Sequence, residues 1–280
     1  MGRDWIIDGP DSTVRLNNGI EMPVFGLGTY RSGIGRQTRE AVKAALDNGY
    51  RLVDTATIYG NERDVGQGIR ESILDRGQVF LTTKLWNSDH GYERTKKAFH
   101  QSLKMLNVDH IDLYLMHWPV GGYRLESWKA MEELNKEGLA RSIGVSNFGI
   151  RHLDELLEEG DIVPSVNQVE FTPFLYQREL LEYCLKKGIQ LESYSPLTKG
   201  RKLGDPTLNM IAQEHGRTPA QVLIRWALQA GAVTIPKSTR SERIIENVNV
   251  FDFELTPGEM DILNGLDEGL RTGWDPSDEP

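Results

Sequence analysis

The stretch Ile111-Asp112-Leu113-Tyr114-Leu115-Met116-His117-Trp118-Pro119 reads as a short apolar β-strand that ends on an imidazole and is closed by a proline. Upstream of it, residues 92–106 carry a helical pattern. Downstream, a second helical pattern over 125–136 stops before Gly138, and a new β-rich run begins at Ala140. A strand, a helix and a further strand in that order form a βαβ unit with parallel strands. The same rhythm extends in both directions, with β-rich runs beginning near Val24, Arg51, Val79, Ile111, Ala140, Ser165, Ile189 and Ala232. Eight strands at roughly 25 to 40 residue spacing are what a (β/α)8 barrel requires. The expected fold class is therefore α/β, a single TIM barrel domain over residues 1–280.

Local punctuation supports this reading. Helical patterns cover 38–48, with Gly49 as a stop, 62–74, 92–106, 125–136 and 177–187, with Gly188 as a stop. Glycines just past the last periodic position suit left-handed C-terminal caps. Thr218, Pro219 and Gln221, and later Thr256, Pro257 and Glu259, form capping boxes with proline at the first helical position. Before the first barrel strand, residues 12–16 and 20–24 flank Asn17, Asn18 and Gly19, which signals a hairpin that plugs the barrel bottom. Residues 198–205 and the tail 271–280 read as mobile surface.

At 280 residues with 39% hydrophobic content and six Trp, the chain is large enough for one well-packed barrel core. A net charge of −9 argues against nucleic-acid or anionic-membrane partners, which need a dominant basic face. The one cysteine, Cys184, excludes an internal disulfide, and neither a signal-peptide h-region nor a membrane-spanning apolar stretch is present. A reducing cytosol is the default compartment, so the protein is expected to be cytoplasmic. The start Met1, Gly2 is set aside as a myristoylation site because Ile6 stands where Ser or Thr is needed.

Chemistry in such a barrel sits at the C-terminal rim of the strands. Asp54, Tyr59, Lys84 and His117 all fall at or just past the downstream end of a strand. A phenol beside an ammonium and a carboxylate is expected to be tuned toward giving up its proton. Later strand ends are polar too: Ser146 and Asn147, Gln168 and Glu170, Tyr194 and Ser195, Lys237 and Ser238. Loop solvation explains part of that pattern, but not its recurrence at the same end of successive strands. The glycines at 26, 28 and 33 and at 66 and 68 lack the spacing of a Rossmann fingerprint. His90, His100, His110, His152 and His215 show no paired spacing, which disfavours a metal site, and they read as surface residues.

Five separated motifs, spanning roughly residues 14–266 in order, resemble the aldo-keto reductase family. They are Asp-Thr-Ala-Thr-Ile-Tyr-Gly-Asn at 54–61, Lys-Leu-Trp at 84–86, the 111–119 stretch, Gly-Val-Ser-Asn-Phe at 144–148 and Ile-Pro-Lys-Ser at 235–238. The resemblance implies a monomeric or weakly dimeric barrel that binds NADPH and reduces aldehydes or ketones to alcohols. In that reading Tyr59 donates the proton. A free phenol titrates near ~10, so Lys84 is expected to lower it, Asp54 to hold Lys84, and His117 to orient the carbonyl oxygen. The resemblance carries Ser146, Asn147 and Gln168 onto the nicotinamide carboxamide, Tyr194 onto the ring face, and Ser195, Leu197 and Thr239 into the same cofactor set. Lys237, Ser238 and Arg243 match contacts to a 2′-phosphate, and Glu246 with Asn247 match contacts to adenine, so NADPH is preferred over NADH. Two departures stand out: Arg240 replaces a small hydroxyl residue, and 198–202 lacks the Ser and Asp of the loop that folds over the pyrophosphate.

Tyr30, Trp86, Trp118 and, from the tail, Trp274 would form an apolar wall around a small-molecule carbonyl substrate. The short connection between Trp118 and the helix holding Trp128 resembles the bacterial-type branch, whose members reduce keto sugars, glyoxals and varied aldehydes. Two alternatives are kept: the resemblance also admits an NADPH-sensing channel subunit or other non-catalytic binding barrel, and a phosphate-binding barrel isomerase or aldolase would use Lys84 as a Schiff base.

Overall fold

An antiparallel hairpin precedes the barrel, formed by β1 (Thr13–Arg15) and β2 (Glu21–Pro23) with Gly19 left-handed in the turn. The Asn17 amide donates to Pro164 O (3.0 Å), and Asn18 donates to Arg141 O (3.1 Å) and Ser142 Oγ (2.9 Å). These partners lie at the upstream ends of two barrel strands, so the turn is pinned across the barrel bottom. The computed structural model describes residues 7–279. The Met1, Gly2, Ile6 start and Pro280 at the end of the tail lie outside the described residues.

Eight parallel strands follow: β3 (Gly26–Gly28), β4 (Leu52–Asp54), β5 (Phe80–Leu85), β6 (Ile111–Met116), β7 (Ala140–Ser146), β8 (Val166–Glu170), β9 (Gln190–Tyr194) and β10 (Val233–Thr234). Each pairs with its neighbours in chain order, and isolated parallel bridges from Phe25 to Thr234 and from Gly28 to Lys237 bring the first and last together. The result is the nearly closed barrel that the βα rhythm implies. Among the described residues no helix is long and apolar enough to cross a membrane.

The helices are α1 (Arg36–Asp47), α2 (Glu62–Glu71), α3 (Tyr92–Leu106), α4 (Arg124–Lys136), α5 (Ile150–Glu159), α6 (Arg178–Lys187), α7 (Pro206–Glu214), α8 (Pro219–Gln229), α9 (Ser241–Val248) and α10 (Pro257–Asn264). Thr218 and Thr256 cap α8 and α10 as expected, each accepting from the third helical N–H. Helix α2 stops three residues before the expected 74. There Ser72 turns extended, and its hydroxyl donates to Ile69 O at 2.8 Å, competing with continued helix. The glycine at 66 in α2 serves packing: a Cβ there would lie 1.9 Å from Leu106 O, so only glycine lets α2 lie against the end of α3.

Strand register aligns the polar residues on one face. Asp54 pairs with Thr82, Lys84 with Leu115, Leu115 with Gly144, Ser146 with Gln168, and Gln168 with Glu192. Side chains two apart on a strand share a face. Thr82 and Lys84, Leu115 and His117, and Gly144 and Ser146 therefore lie on the same side as Asp54, Gln168 and Glu192. Leu115 fills the space opposite Gly144, where a Cβ would approach its side chain to 2.9 Å.

Candidate active site

Asp54 closes β4 and is buried, and the chain then enters a 3-10 turn, Thr57–Tyr59, that ends at left-handed Gly60. Three hydrogen bonds hold this turn. Thr57 Oγ1 donates to Lys84 O (3.0 Å), Thr55 Oγ1 to Asn61 Oδ1 (2.8 Å), and Asn61 Nδ2 to Thr29 O (3.0 Å). Lys84, fully buried on β5, donates to Asp54 Oδ1 and Oδ2 at 2.6 Å each and to Thr55 O at 2.8 Å. Its ammonium also lies 5.3 Å from the centre of the Tyr59 ring. His117, buried just past β6, packs edge-on to Tyr59 at 5.7 Å and to Trp86 at 5.2 Å. Carboxylate, ammonium, phenol and imidazole are thus gathered at one point of the rim.

The electrostatics differ from the expectation in one respect. Burial, followed by the Asp54 charge, pushes the Tyr59 phenol well above its ordinary range rather than below it. All three Lys84 hydrogens are committed to Asp54 and Thr55, so Lys84 acts on the phenol through its charge and not through a hydrogen bond. The phenol is consequently a protonated donor at neutral pH. Burial, with help from the Lys84 charge, lowers His117 well below 6.5, so the imidazole is neutral, and its Nδ1 has no partner among the described residues.

Sequence reading missed Glu192, which is fully buried on β9. Gln168 Nε2 donates to Asp54 Oδ2 (2.8 Å) and to Glu192 Oε2 (2.7 Å), linking the two carboxyls. Burial, then the Asp54 charge, pushes Glu192 up to about 8. Burial also raises Asp54, but Lys84 touches that group directly and opposes the rise. Asp54 therefore keeps the charge and Glu192 the proton. One signal was available: Glu192 shares strand parity with Tyr194 within an otherwise strand-like run.

At the nicotinamide end of the expected cofactor site, Ser146 Oγ and Asn147 N donate to Gln168 O (2.8 and 2.9 Å). The Asn147 amide donates to His117 O (2.9 Å) and accepts from Tyr194 Oη (2.8 Å). Among the described residues, the non-glycine residues with left-handed backbone are Arg31, Asn107, Asn147, Ser195, Thr198 and Lys199. All but Asn107, a helix cap, lie in rim loops after β3, β7 or β9, and strained backbone of this kind clusters at ligand sites. With the Gln168 side-chain oxygen, which accepts no hydrogen bond among the described residues, these features fit a nicotinamide dinucleotide. At the other end Lys237 and Arg243 are exposed, Ser238 and Asn247 are buried, and Thr239 Oγ1 accepts from Gln37 Nε2 at 3.3 Å. Glu246 accepts from Thr218 Oγ1 (2.7 Å). Exposed Arg240 sits at the start of α9, its backbone N–H bonded to Ser238 Oγ (3.2 Å).

The four aromatic residues proposed for the substrate wall converge. Tyr30 packs on Tyr59 at 5.1 Å, Trp86 on His117, and Trp118 stacks on His117 at 6.4 Å and packs at a tilt on Trp274 at 4.7 Å.

The two segments read as mobile are instead tied down. Glu170 accepts from Thr272 N (3.0 Å), Thr272 Oγ1 and Gly273 N (3.1 Å). Arg151 donates to Ser277 O (2.7 Å). From the 198–205 loop, whose Gly200 N donates to the preceding Leu197 O at 2.7 Å, Lys199 Nζ donates to Thr272 O (2.6 Å) and Lys202 pairs with Glu268 (2.6 Å). His90 and His152, expected on the surface, are buried. His90 packs against Ser127 (3.2 Å), and His152 accepts from Gly149 N (3.1 Å) and meets Glu279 O (3.0 Å).

Residues 24–268 match the model of the aldo/keto reductase family. The glyoxal reductase of Bacillus subtilis (strain 168) is 51% identical over 266 residues, covering 95% of this chain and 96% of that protein. MGS-M4, an aldo-keto reductase enzyme from a Medee basin deep-sea metagenome library, superposes with a TM-score of 0.92 at 45% identity, covering 95% of this chain and 98% of that one. A Bombyx mori aldo-keto reductase solved in complex with NADP gives a TM-score of 0.88 at 36% identity, covering 92% and 94%.

Proposed function

The chain belongs to the aldo/keto reductase family, and from that membership we propose that it reduces small aldehydes and ketones, glyoxals foremost, to alcohols with NADPH. The observation that carries this reading is the buried Lys84–Asp54 pair at 2.6 Å beneath a protonated Tyr59, with neutral His117 alongside. A relative named glyoxal reductase at 51% identity supports the substrate class, and the neighbour in complex with NADP supports the cofactor.

When bound, NADPH supplies the hydride. Negative charge then develops on the substrate oxygen, and the protein must meet it. His117 carries no charge and so serves as a hydrogen-bonding group that orients the carbonyl oxygen. Tyr59, kept protonated by burial, gives up its proton to that oxygen as the charge builds. Lys84, fixed by Asp54 and Thr55 and 5.3 Å from the ring centre, is the cation that stabilises the phenolate left behind. Ser146, Asn147, Gln168, Tyr194, Ser195 and Leu197 would hold the nicotinamide half of the cofactor. Lys237, Ser238, Thr239, Arg243, Glu246 and Asn247 would hold the phosphorylated adenosine half. The wall of Tyr30, Trp86, Trp118 and Trp274 excludes water and receives the substrate's apolar part.

We take the barrel to act as one domain, monomeric or weakly dimeric, in the cytoplasm and without a nucleic-acid partner. The net charge of −9 and the lone Cys184, buried with its thiol pushed up to about 12, support that assignment. No finding supports a sensing subunit or a Schiff-base enzyme. Lys84 has its three hydrogens engaged and is fully buried, which disfavours attack on a substrate carbonyl. Loss of NADPH absorbance at 340 nm in the presence of methylglyoxal tests the reading. A protein that binds NADPH but leaves the absorbance unchanged with glyoxals, simple aldehydes and keto sugars would refute it.

A further inference from the structure

We propose that Glu192 is a positioning residue of the cofactor site: with Asp54 it locks the side-chain amide of Gln168, leaving the amide oxygen as the only atom of that group open to a ligand. The proposal rests on the nicotinamide reading above and assigns a role to a residue outside the expected site. Glu192 is fully buried, yet its one hydrogen bond among the described residues comes from Gln168 Nε2 at 2.7 Å, and its Oε1 has no partner. A buried carboxyl is costly, and this one contacts Gln168 alone by hydrogen bond.

Gln168 Nε2 has two hydrogens, and the second is taken by Asp54 Oδ2 at 2.8 Å. Turning the amide over would set its oxygen against the ionised Asp54 carboxylate and would cost Nε2 both of its acceptors. The strand beneath is fixed as well, since Gln168 O accepts from Ser146 Oγ and Asn147 N. The neighbouring Asn147 amide is engaged at both ends, by His117 O and Tyr194 Oη. Gln168 Oε1 is thus a prepared, single acceptor. Of the two ends of a nicotinamide carboxamide, it selects the NH2 and so sets which way the group points. With Glu192 holding its proton, no second negative charge competes with Asp54 for Lys84.

The test is calorimetric binding of NADP+ and its 3-acetylpyridine analogue, in which methyl replaces the carboxamide NH2. Loss of one neutral hydrogen bond is about 1 kcal/mol, so wild-type protein should bind the analogue about fivefold more weakly. Glu192→Met removes one of the two acceptors and leaves Asp54 alone to hold Nε2, so the amide turns over more readily and at least half of the discrimination should be lost. Glu192→Gln, whose amide oxygen can still accept from Nε2, should keep the wild-type ratio. If Glu192→Met does not fold, Glu192→Asp, which withdraws the acceptor by one methylene, takes its place and should lose at least half of the discrimination. A wild-type ratio in Glu192→Met, an equal loss for both cofactors as a purely structural role would give, or no discrimination in wild-type protein overturns the proposal. Failure of wild-type protein to bind NADP+ at all would instead overturn the functional reading, and this inference with it.

Discussion

The indole of Trp274 lies 4.7 Å from that of Trp118, centroid to centroid, with the planes inclined at 42°. The contact exists because Glu170, on β8, holds Thr272 and Gly273 and so delivers the tail to the barrel mouth.

Half-exposed as it is, the Trp274 ring offers part of a large apolar face to a bulky substrate. Gaining that contact is about 1 kcal/mol at roughly 25 cal/mol per Å². Trp274→Ala should therefore raise the KM for bulky aromatic aldehydes about fivefold and leave that for methylglyoxal within twofold. Steady-state kinetics with the two substrate sizes checks this, and parallel changes for both would remove Trp274 from the wall.

Tyr59→Phe should lower kcat by about 100-fold or more, the usual scale for a lost proton donor, with NADPH affinity within twofold. Lys84→Met should be as damaging to turnover but should also unfold more readily. Removing the ammonium leaves Asp54 buried and unpaired, a loss of about 3 to 5 kcal/mol. Pairing kinetics with thermal melts separates the two variants. A Tyr59→Phe enzyme that keeps most of its turnover would sink the proton-donor assignment.

Arg243 and Lys237 are exposed at the phosphate end and are proposed to meet a charge that NADH lacks. A charge-assisted hydrogen bond is worth roughly 1.5 to 3 kcal/mol, so Arg243→Ala should weaken NADPH about 10- to 100-fold while changing NADH little. Dissociation constants for both cofactors decide it. Equal losses would place these side chains outside the 2′-phosphate site.

Stability should depend on pH in two opposed ways. His90, lowered by burial to about 4 from 6.5, stays neutral in the fold, while the unfolded chain takes up its proton below 6.5. Its contribution is therefore present above 6.5 and is lost as pH falls toward 4. Glu192 has the reverse sign. Raised from 4.5 to about 8, it holds a proton that the unfolded chain releases above 4.5, so its contribution declines as pH rises through 8. Melting temperatures from pH 5 to 8.5 should show a shallower acid-side fall for His90→Gln and a shallower alkaline fall for Glu192→Gln. Unchanged slopes would show that these groups titrate alike in both states.

Much of the site was legible from local signals. Capping boxes at Thr218 and Thr256, stops at Gly49 and Gly188, and the Asn17-Asn18-Gly19 turn all act within a few residues of themselves, so elements and their order follow from sequence alone. Strand ends then locate Asp54, Lys84 and His117 on the rim, because a βα repeat has only one downstream edge. Burial was harder to read. His90 and His152 carry no sign of the distant partners that bury them, Ser127 on α4 and Glu279 in the tail, each more than 30 residues away.

What the sequence by itself determined was the barrel, its hairpin plug and the identities of the four residues grouped at the rim, since periodicity and caps are short-range. Only the tertiary structure decided how those residues behave. Burial, then the Asp54 charge, raises the phenol of Tyr59 rather than lowering it. Glu192 joins the site because cross-strand register sets it beside Gln168, and Glu170 anchors a tail 102 residues further along the chain. Each of these depends on desolvation or on contacts between distant segments, and both come into being only when the barrel closes.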